Sequence, residues 1–329
     1  MYYRILILSI LLFAFGCQKK GCQIPEGAAE IPVTVEIERL EQPFFKIRSK
    51  EEVTQFLKSH PLFARKFLQQ GQLPDSVLQN SLYGLATNPE LKKLASEAEQ
   101  KFGKMEKEKE QLETAFKIIK YHYPDFKEPQ VKTFVSGLSQ DLLVTDSLLV
   151  LGIDFFIGKK ASYRPDTYEY ILSRYERDYI VPSAMLLLSN KFNKASFLER
   201  SLLAEMISAG KAYYFVKTVM PCTPDSLIIG YSAQKLADVN HNEGKIWAHF
   251  IEKSLLYEKS PFVVNKYIGE RPNTPEIDAT APGRIGTWVG WQIVKKYMER
   301  NPDVTLPELM ANDDFQKIFD ESKYKPERR

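Results

Sequence analysis

The chain has 329 residues, of which 44% are hydrophobic and 26% are charged, an ordinary composition for a globular protein. Its 45 basic residues nearly balance its 42 acidic residues, which gives a net charge of +3 at pH 7. No long stripe of Lys or Arg appears, so the composition argues against nucleic acid as the main partner. The sequence also lacks internal repeats and low-complexity tracts, which favours a single compact body.

The first 17 residues resemble the signal sequence of a bacterial lipoprotein. Arg4 precedes the apolar run Ile5–Phe15, which is too short to span a bilayer. Cleavage between Gly16 and Cys17 would leave the Cys17 thiol and amine free for acylation with palmitate-type chains. Each buried methylene contributes about 0.8 kcal/mol, so several chains together anchor a protein stably. We therefore predict a signal peptide over residues 1–16 and lipidation of Cys17.

Residues 17–30 are mostly small and polar, which predicts a flexible tether between the membrane and the folded body. No Asp follows Cys17, and this favours sorting to the outer membrane. The basic pair Lys19-Lys20 differs from the acidic tethers that send some lipoproteins to the cell exterior, so we expect the body to face the periplasm. A plain signal peptide and an uncleaved amino-terminal helix are the alternatives, although Lys19 and Lys20 end the apolar run early.

Two further cysteines, Cys22 and Cys222, would lie in an oxidising compartment, where a disulfide can form. Nothing in their spacing supports a pairing, so two unpaired thiols are the favoured prediction and a disulfide is the alternative. Neither cysteine has a second Cys or His at ligand spacing, and no metal or other cofactor is expected.

The body of the protein is predicted to be mainly helical. Residues 31–40 alternate apolar and polar side chains in a strand pattern, and two short β-branched runs at 131–136 and 147–153 also predict strands. Helical periodicity covers residues 49–60, 61–69, 74–86, 88–121, 169–179, 184–192, 197–219, 226–238, 245–257, 285–299, 305–313 and 315–320. We predict an α+β fold with one small sheet, a single domain over 31–320 and a polar tail over 321–329.

Four segments resemble the gliding motility lipoprotein family GldB. They are Leu151–Gly158, Ile207–Phe215, Asn242–Ala248 and Pro282–Met298. The resemblance covers most of the chain. It implies a role in gliding motility, association with the motility and secretion machinery, and attachment to the outer membrane by a lipid.

The GldB family in turn resembles predicted zinc peptidases, which carry H-E-x-x-H on one helix and a third ligand on the next. That chemistry needs two histidines one helical turn apart and a glutamate that activates water. The histidines of this chain have no such partner; they are His60, His122, His241 and His249. Residues 185–189 are apolar where ligands should be, Ala209 occupies the third position, and Lys211 adds a positive charge. The resemblance therefore implies a zincin-like, degenerate metallopeptidase architecture that is not an enzyme.

Asp154, Glu243 and Arg284 are the candidate structural or partner-contacting residues. We expect Arg284 to form a buried ion pair with an acid, and contact with a partner is the alternative. The acids considered for that pair are Glu243, Glu252 and Asp154. Gly286 and Gly290 lie four residues apart on a helix and predict a close helix–helix contact, whereas Trp288 and Trp291 are expected in the core.

Three functions follow from these features. The favoured one is a non-catalytic structural or binding component of the gliding machinery. The second is a lipid-anchored hydrolase that uses acids such as Glu205, Glu243 and Glu252. The third is a substrate-binding lipoprotein with a pocket near Tyr213, Tyr214 and Trp291, against which a filled core would count.

Overall fold

A computed structural model describes residues 22–194 and 199–326 of the chain. Cys17 and the predicted signal peptide lie outside these residues. The described part is mainly helical and contains one four-stranded sheet, which confirms the predicted α+β class.

The sheet has the strand order β1-β2-β4-β3. Its strands are β1 (Ile37–Arg39), β2 (Gln130–Phe134), β3 (Leu142–Val144) and β4 (Leu148–Gly152). The strands β1, β2 and β4 are parallel, and β3 is antiparallel to β4. The sequence pattern does not predict β3, because a run of three residues is too short for alternation to be recognised. It also predicts β1 too long, since only three residues of the segment 31–40 pair with β2.

Helices cover both faces of this sheet. Those before β2 are α1 (Glu26–Ala29), α2 (Glu41–Phe44), α3 (Lys50–Ser59), α4 (Pro61–Lys66), α5 (Asp75–Thr87), α6 (Pro89–Phe102) and α7 (Glu106–His122). Those after β4 are α8 (Glu169–Leu172), α9 (Ile180–Ser189), α10 (Leu202–Val219), α11 (Asp225–Ile229), α12 (Ala233–His241), α13 (Glu243–Glu252), α14 (Pro261–Ile268), α15 (Ile285–Arg300), α16 (Leu306–Ala311) and α17 (Phe315–Ser322).

The core lies on the two sides of the sheet. Leu149 and Leu151 of β4 belong to a large apolar cluster built with α7, α9, α10 and α15. Leu148 and Val150 belong to a smaller cluster built with α2, α3, α4 and α5. Successive side chains of a strand point to opposite faces, so a strand that is buried throughout can serve both clusters.

Three predicted helices are interrupted in the structure. The helix predicted over 169–179 forms only as α8 and a short 3-10 helix over Arg177–Tyr179. The helix predicted over 88–121 breaks between α6 and α7, where Gly103 and Met105 have φ values of +54° and +58°. Met105 is 1% exposed, so this turn places an apolar side chain in the core. The helix predicted over 226–238 breaks at Gly230, which has a φ of +75° and ends α11. Helical periodicity continues on either side of each turn, and it conceals both breaks.

The helices α10 and α15 cross closely at a pair of glycines, which confirms the helix–helix contact predicted for Gly290. A Cβ atom on Gly290 would lie 1.7 Å from the carbonyl oxygen of Met206. One on Gly210 would lie 2.3 Å from the backbone of Gly290. Trp288 and Trp291 are fully buried in the same region, as predicted.

The amino-terminal segment is folded against the body over residues 22–30, which differs from the predicted flexible tether. Cys22 and Cys222 form a disulfide, so the prediction of two unpaired thiols is wrong. The pairing is invisible in the sequence because the cysteines are 200 residues apart and meet only when this segment folds back. Ala28, in the short helix α1, is fully buried.

The carboxyl-terminal segment is also packed further than the sequence indicates. The predicted tail begins inside α17, which continues to the buried residue Ser322. Tyr324 packs its ring against Trp247, with centroids 5.0 Å apart. The folded body therefore extends beyond the predicted boundary at residue 320.

Candidate functional site

The loop before α15 turns sharply at Gly283 and Arg284, and this turn directs the Arg284 side chain into the protein. A Cβ atom on Gly283 would lie 1.8 Å from the carbonyl oxygen of Arg271, so only glycine fits. Arg284 has a φ of +59°. This left-handed conformation costs a residue that carries a Cβ atom, such as arginine, roughly 1–2 kcal/mol. The hydrogen bonds of its guanidinium group offset that cost.

The guanidinium group of Arg284 joins three elements. Nη1 donates to the hydroxyl of Tyr213 on α10 at 3.0 Å, and Nη2 donates to the carbonyl oxygen of Ile229 at the end of α11 at 2.9 Å. Nε lies 3.1 Å from Oε1 of Glu270, in the loop after α14. These charge-assisted bonds fix the start of α15 against its neighbours.

Glu270 is therefore the acid that pairs with Arg284, and the acids named from the sequence are wrong for this pair. Those acids were Glu243, Glu252 and Asp154. Arg174 binds the same Glu270 carboxylate through two nitrogens, each at 2.9 Å. The sequence around Glu270 and Arg174 does not predict their contact with Arg284, because only the folded loops bring these residues together.

Tyr231 lies beneath this ion-pair cluster. Its ring centroid is 5.8 Å from the Arg284 guanidinium carbon, and its hydroxyl donates to the carbonyl oxygen of Gly283 at 2.7 Å. Burial raises the pKa of Tyr231 far above its usual value, so the hydroxyl stays a neutral donor. Tyr231 thus supports both the glycine turn and the arginine that follows it.

A cleft of about 320 Å³ opens above these residues, and we call it the Arg284 cleft. Its charged lining residues are Arg174, Lys235, Arg271, Arg284, Glu169 and Glu270. Glu169 pairs with Arg164, and Arg271 pairs with Glu276. The remaining charges are three positive groups against the single carboxylate of Glu270. The cleft therefore favours an acidic ligand, and the carboxylate of Glu270 is already engaged by Arg174 and Arg284.

Asp154 occupies a separate, buried place at the carboxyl ends of the parallel strands β2 and β4. Its Oδ2 accepts bonds from the backbone N–H groups of Ser136 at 3.0 Å and Leu138 at 2.8 Å. Its Oδ1 is buried without a hydrogen-bond partner in the described part of the chain. Burial raises the pKa of Asp154 to about 6. These contacts hold the turn after β2 against the turn after β4.

Glu243, at the start of α13, makes a third set of contacts. Its Oε1 accepts a bond from the hydroxyl of Tyr324 at 2.8 Å. Burial raises the pKa of Tyr324 strongly, and the neighbouring Glu243 carboxylate raises it further. Asp154, Glu243 and Arg284 thus contact different partners, and the structure does not assemble them into one site.

The resemblance to zinc peptidases would place ligands within residues 185–189 and at Ala209, and the side chains at and beside these positions make other contacts. Met185 of α9 is fully buried among apolar side chains. Lys211 of α10 is also fully buried, and its Nζ donates to the carbonyl oxygens of Lys194 at 2.9 Å and Asn312 at 2.6 Å. Burial lowers the pKa of Lys211 to about 8. Lys211 ties together the chain segments that follow α9 and α16.

The described residues provide no group of three or more His, Cys, Asp or Glu side chains placed to hold a metal ion. Two of the histidines are bonded within the protein. His60 Nδ1 lies 3.2 Å from Glu38, and His249 Nε2 lies 2.9 Å from the hydroxyl of Tyr267.

The region proposed from the sequence as a substrate pocket is filled. Tyr213 is 5% exposed and Trp291 is fully buried, and their ring centroids lie 5.5 Å apart. This packing argues against a ligand pocket between α10 and α15.

Comparison with known proteins decides the family. Residues 21–326 match the family described as Gliding motility protein GldB. This chain belongs to the GldB family. The match supports involvement in gliding motility, and the lipoprotein character of the GldB family suggests attachment to a membrane. No curated protein and no solved structure matches the chain.

The GldB match begins four residues after Cys17 and includes both cysteines of the disulfide. Cys17 itself lies outside the residues that the structure describes. Within the described ranges, none of the helices has the length and hydropathy needed to cross a bilayer.

Proposed function

We propose that this GldB family member is a non-catalytic binding component of the gliding machinery. In this proposal acylated Cys17 anchors it in the outer membrane, and its body faces the periplasm. The match over residues 21–326 carries the proposal, because it spans the folded body and starts just after the predicted lipidation site. The Cys22–Cys222 disulfide supports it, since such bonds persist in oxidising compartments such as the periplasm.

The residues of α9 and α10 support a role without catalysis. A zincin-like ancestor would place metal ligands on two adjacent helices. Here Asn193, four residues after the end of α9, donates to the carbonyl oxygen of Ser208 in α10 at 2.9 Å. The apolar Met185 and Ala209 stand where the resemblance would place ligands, and the ammonium group of Lys211 would repel a metal ion beside them. We propose that this is a degenerate metallopeptidase architecture, which keeps the scaffold and serves as a binding surface.

The Arg284 cleft is the surface that we propose for the partner. Three positive groups face one carboxylate there, and the rigid bonds of Arg284 keep the lining in place. An acidic segment of another gliding protein would complement this charge. Lys235 lies exposed at the rim, where its replacement leaves the bonds of Arg174, Glu270 and Arg284 intact.

Charge reversal at the rim tests this proposal. We expect Lys235→Glu to reduce gliding in a complemented deletion strain and to weaken crosslinking of a photoreactive residue placed at Ser173. Lys104→Glu, at an exposed lysine between α6 and α7, is the matched control and should leave both unchanged. Gliding and crosslinking at the wild-type level in Lys235→Glu would place the partner elsewhere. Peptide hydrolysis by the purified protein would contradict the non-catalytic role.

A further inference from the structure

We propose that the Cys22–Cys222 disulfide holds one end of the helix α10 against the lipid bilayer. The folded body would then rest on the membrane surface with a defined side, which we call the disulfide face, formed by Cys22, Ile24, Tyr121 and Cys222. This inference depends on the lipid anchoring of Cys17 proposed above. It adds the orientation of the body and the surface that contacts lipid.

The length of chain between the anchor and the disulfide is the first argument. Cys22 follows Cys17 by five residues, and an extended chain spans at most about 3.6 Å per residue, or roughly 18 Å in total. The Cα atoms of Cys22 and Cys222 are 4.4 Å apart. Cys222 closely follows the end of α10 at Val219. Cys222 is therefore tied within roughly 22 Å of the lipid-bearing residue, and the carboxyl end of α10, three residues before it, within roughly 33 Å.

The disulfide also shortens the reach that the tether would otherwise have. Without it, the first fully buried residue after the anchor is Ala28. Eleven residues separate Ala28 from Cys17, which allows a reach of roughly 40 Å. The disulfide thus cuts the reach to about half and fixes the segment at two points. The shorter reach keeps this side of the body near the anchor and limits how far the body can turn it away from the bilayer.

The exposed side chains of the disulfide face suit the membrane interface. Ile24 is 40% exposed and Tyr121 is 46% exposed. Gly27, three residues after Ile24, passes against the Tyr121 ring, with a built Cβ only 2.9 Å from it, so the segment that carries Ile24 runs beside Tyr121. Aliphatic and tyrosine side chains are favoured at the level of the lipid headgroups.

The basic side chains identified near this face are paired with acids. Lys120 pairs with Glu128 at 2.7 Å, and Asp225 pairs with both Lys217 and Lys295. Glu26 and Glu30 are also exposed on the segment. We therefore expect apolar contact with neutral lipid, with little dependence on salt, and not attraction to an anionic surface.

The opposite end of α10 provides an internal reference. The backbone N–H of Leu202 donates to the carbonyl oxygen of Glu258 at 2.9 Å, which places Tyr257 near that end. Tyr257 is 60% exposed. An α-helix rises 1.5 Å per residue, so the 18 residues of α10 separate the two ends by about 27 Å. A probe at Tyr257 should therefore lie far from the bilayer.

Fluorescence quenching by lipid tests the orientation. The full-length lipidated protein is reconstituted into phosphatidylcholine vesicles that contain brominated lipid, with a fluorescent amino acid at position Gln23 or at position Tyr257. We expect quenching to be several-fold stronger for the probe at 23. Equal quenching at the two positions would overturn the inference, as would crosslinking of the Gln23 site to a membrane protein in cells without quenching in vesicles.

Two variants separate the disulfide from the anchor. A 20-residue Gly/Ser insertion after Lys20 keeps the disulfide and the fold but adds about 25 Å of reach, so the difference in quenching should shrink. The pair Cys22→Ser and Cys222→Ser should have the same effect while vesicle flotation is retained, with a thermal melt to confirm folding. Loss of flotation in the wild type would contradict the proposed lipid anchor. Normal flotation with quenching that neither variant changes would contradict only the orientation.

Discussion

At the scale of single residues, Asp154 shows how burial changes the chemistry of a carboxyl group. Two backbone N–H groups bind one of its oxygens, yet the other oxygen is buried without a partner in the described residues. Burial outweighs the hydrogen bonds and raises the pKa to about 6. The group is therefore easier to protonate in the folded protein than in the unfolded chain.

This shift predicts a dependence of stability on pH. An acid whose folded pKa is raised stabilises the fold below its unfolded pKa of 3.8, and this contribution is lost as the pH rises through about 6. The loss amounts to about 3 kcal/mol. Asp154→Asn removes the titrating group, so its free energy of unfolding should vary less between pH 4 and 7 in urea titrations. Asp303→Asn, at an exposed site, should retain the wild-type slope, and an unchanged slope in Asp154→Asn would show that another group is responsible.

Arg284 was identifiable from the sequence, but its partners were not. An arginine that follows Pro-Gly just before an apolar helix is a conspicuous polar residue at a core position. Its acid partner Glu270 and the second arginine, Arg174, lie on loops whose paths depend on the whole fold. The excess positive charge of the cleft therefore appears only in three dimensions.

At the scale of elements, the crossing of α10 and α15 depends on two glycines that remove side-chain volume. Gly290 and Gly210 let the two backbones meet where any side chain would collide. The spacing of Gly286 and Gly290 predicts a close contact but does not reveal which helix is contacted. In the structure Gly290 faces α10, whereas Gly286 faces Tyr267 and Ile268 of α14.

A single methyl group should therefore disrupt this crossing. We expect Gly290→Ala to lower the free energy of unfolding by about 3 kcal/mol, because its Cβ would overlap the Met206 carbonyl oxygen. Gly84→Ala is the matched control, since no atom lies within 4 Å of its added Cβ in the middle of α5. That variant should be more stable by roughly 0.5–1 kcal/mol. Similar urea midpoints for the two variants would argue against the tight crossing.

At the scale of the whole molecule, both ends of the described chain are fastened to the body. The amino-terminal segment is held by the disulfide and by Ala28, and the carboxyl-terminal segment is held by Tyr324. The family match has nearly the same limits, residues 21–326. The folded unit is thus longer at each end than hydrophobic patterning indicates, because polar and small residues can be fixed by a few specific contacts.

The carboxyl-terminal contact can be tested by substitution. We expect Tyr324→Ala to lower the free energy of unfolding by about 3 kcal/mol, because the ring packs on Trp247. Tyr324→Phe should lose only about 1 kcal/mol, since it removes the bond to Glu243 and keeps the ring. Chemical denaturation measures both changes. Wild-type stability in both variants would show that the contacts of Tyr324 do not stabilise the fold.

The sequence by itself determined the fold class, most helices, the burial of the tryptophans, the close contact at Gly290 and the resemblance to GldB. These features depend on local periodicity and on short segments, so neighbouring residues are enough to reveal them. Only the tertiary structure decided the disulfide, the pairing of Arg284 with Glu270, the breaks at Met105 and Gly230 and the packing of both ends. Each of these depends on contacts between residues far apart in the chain, where burial and backbone geometry override local pattern.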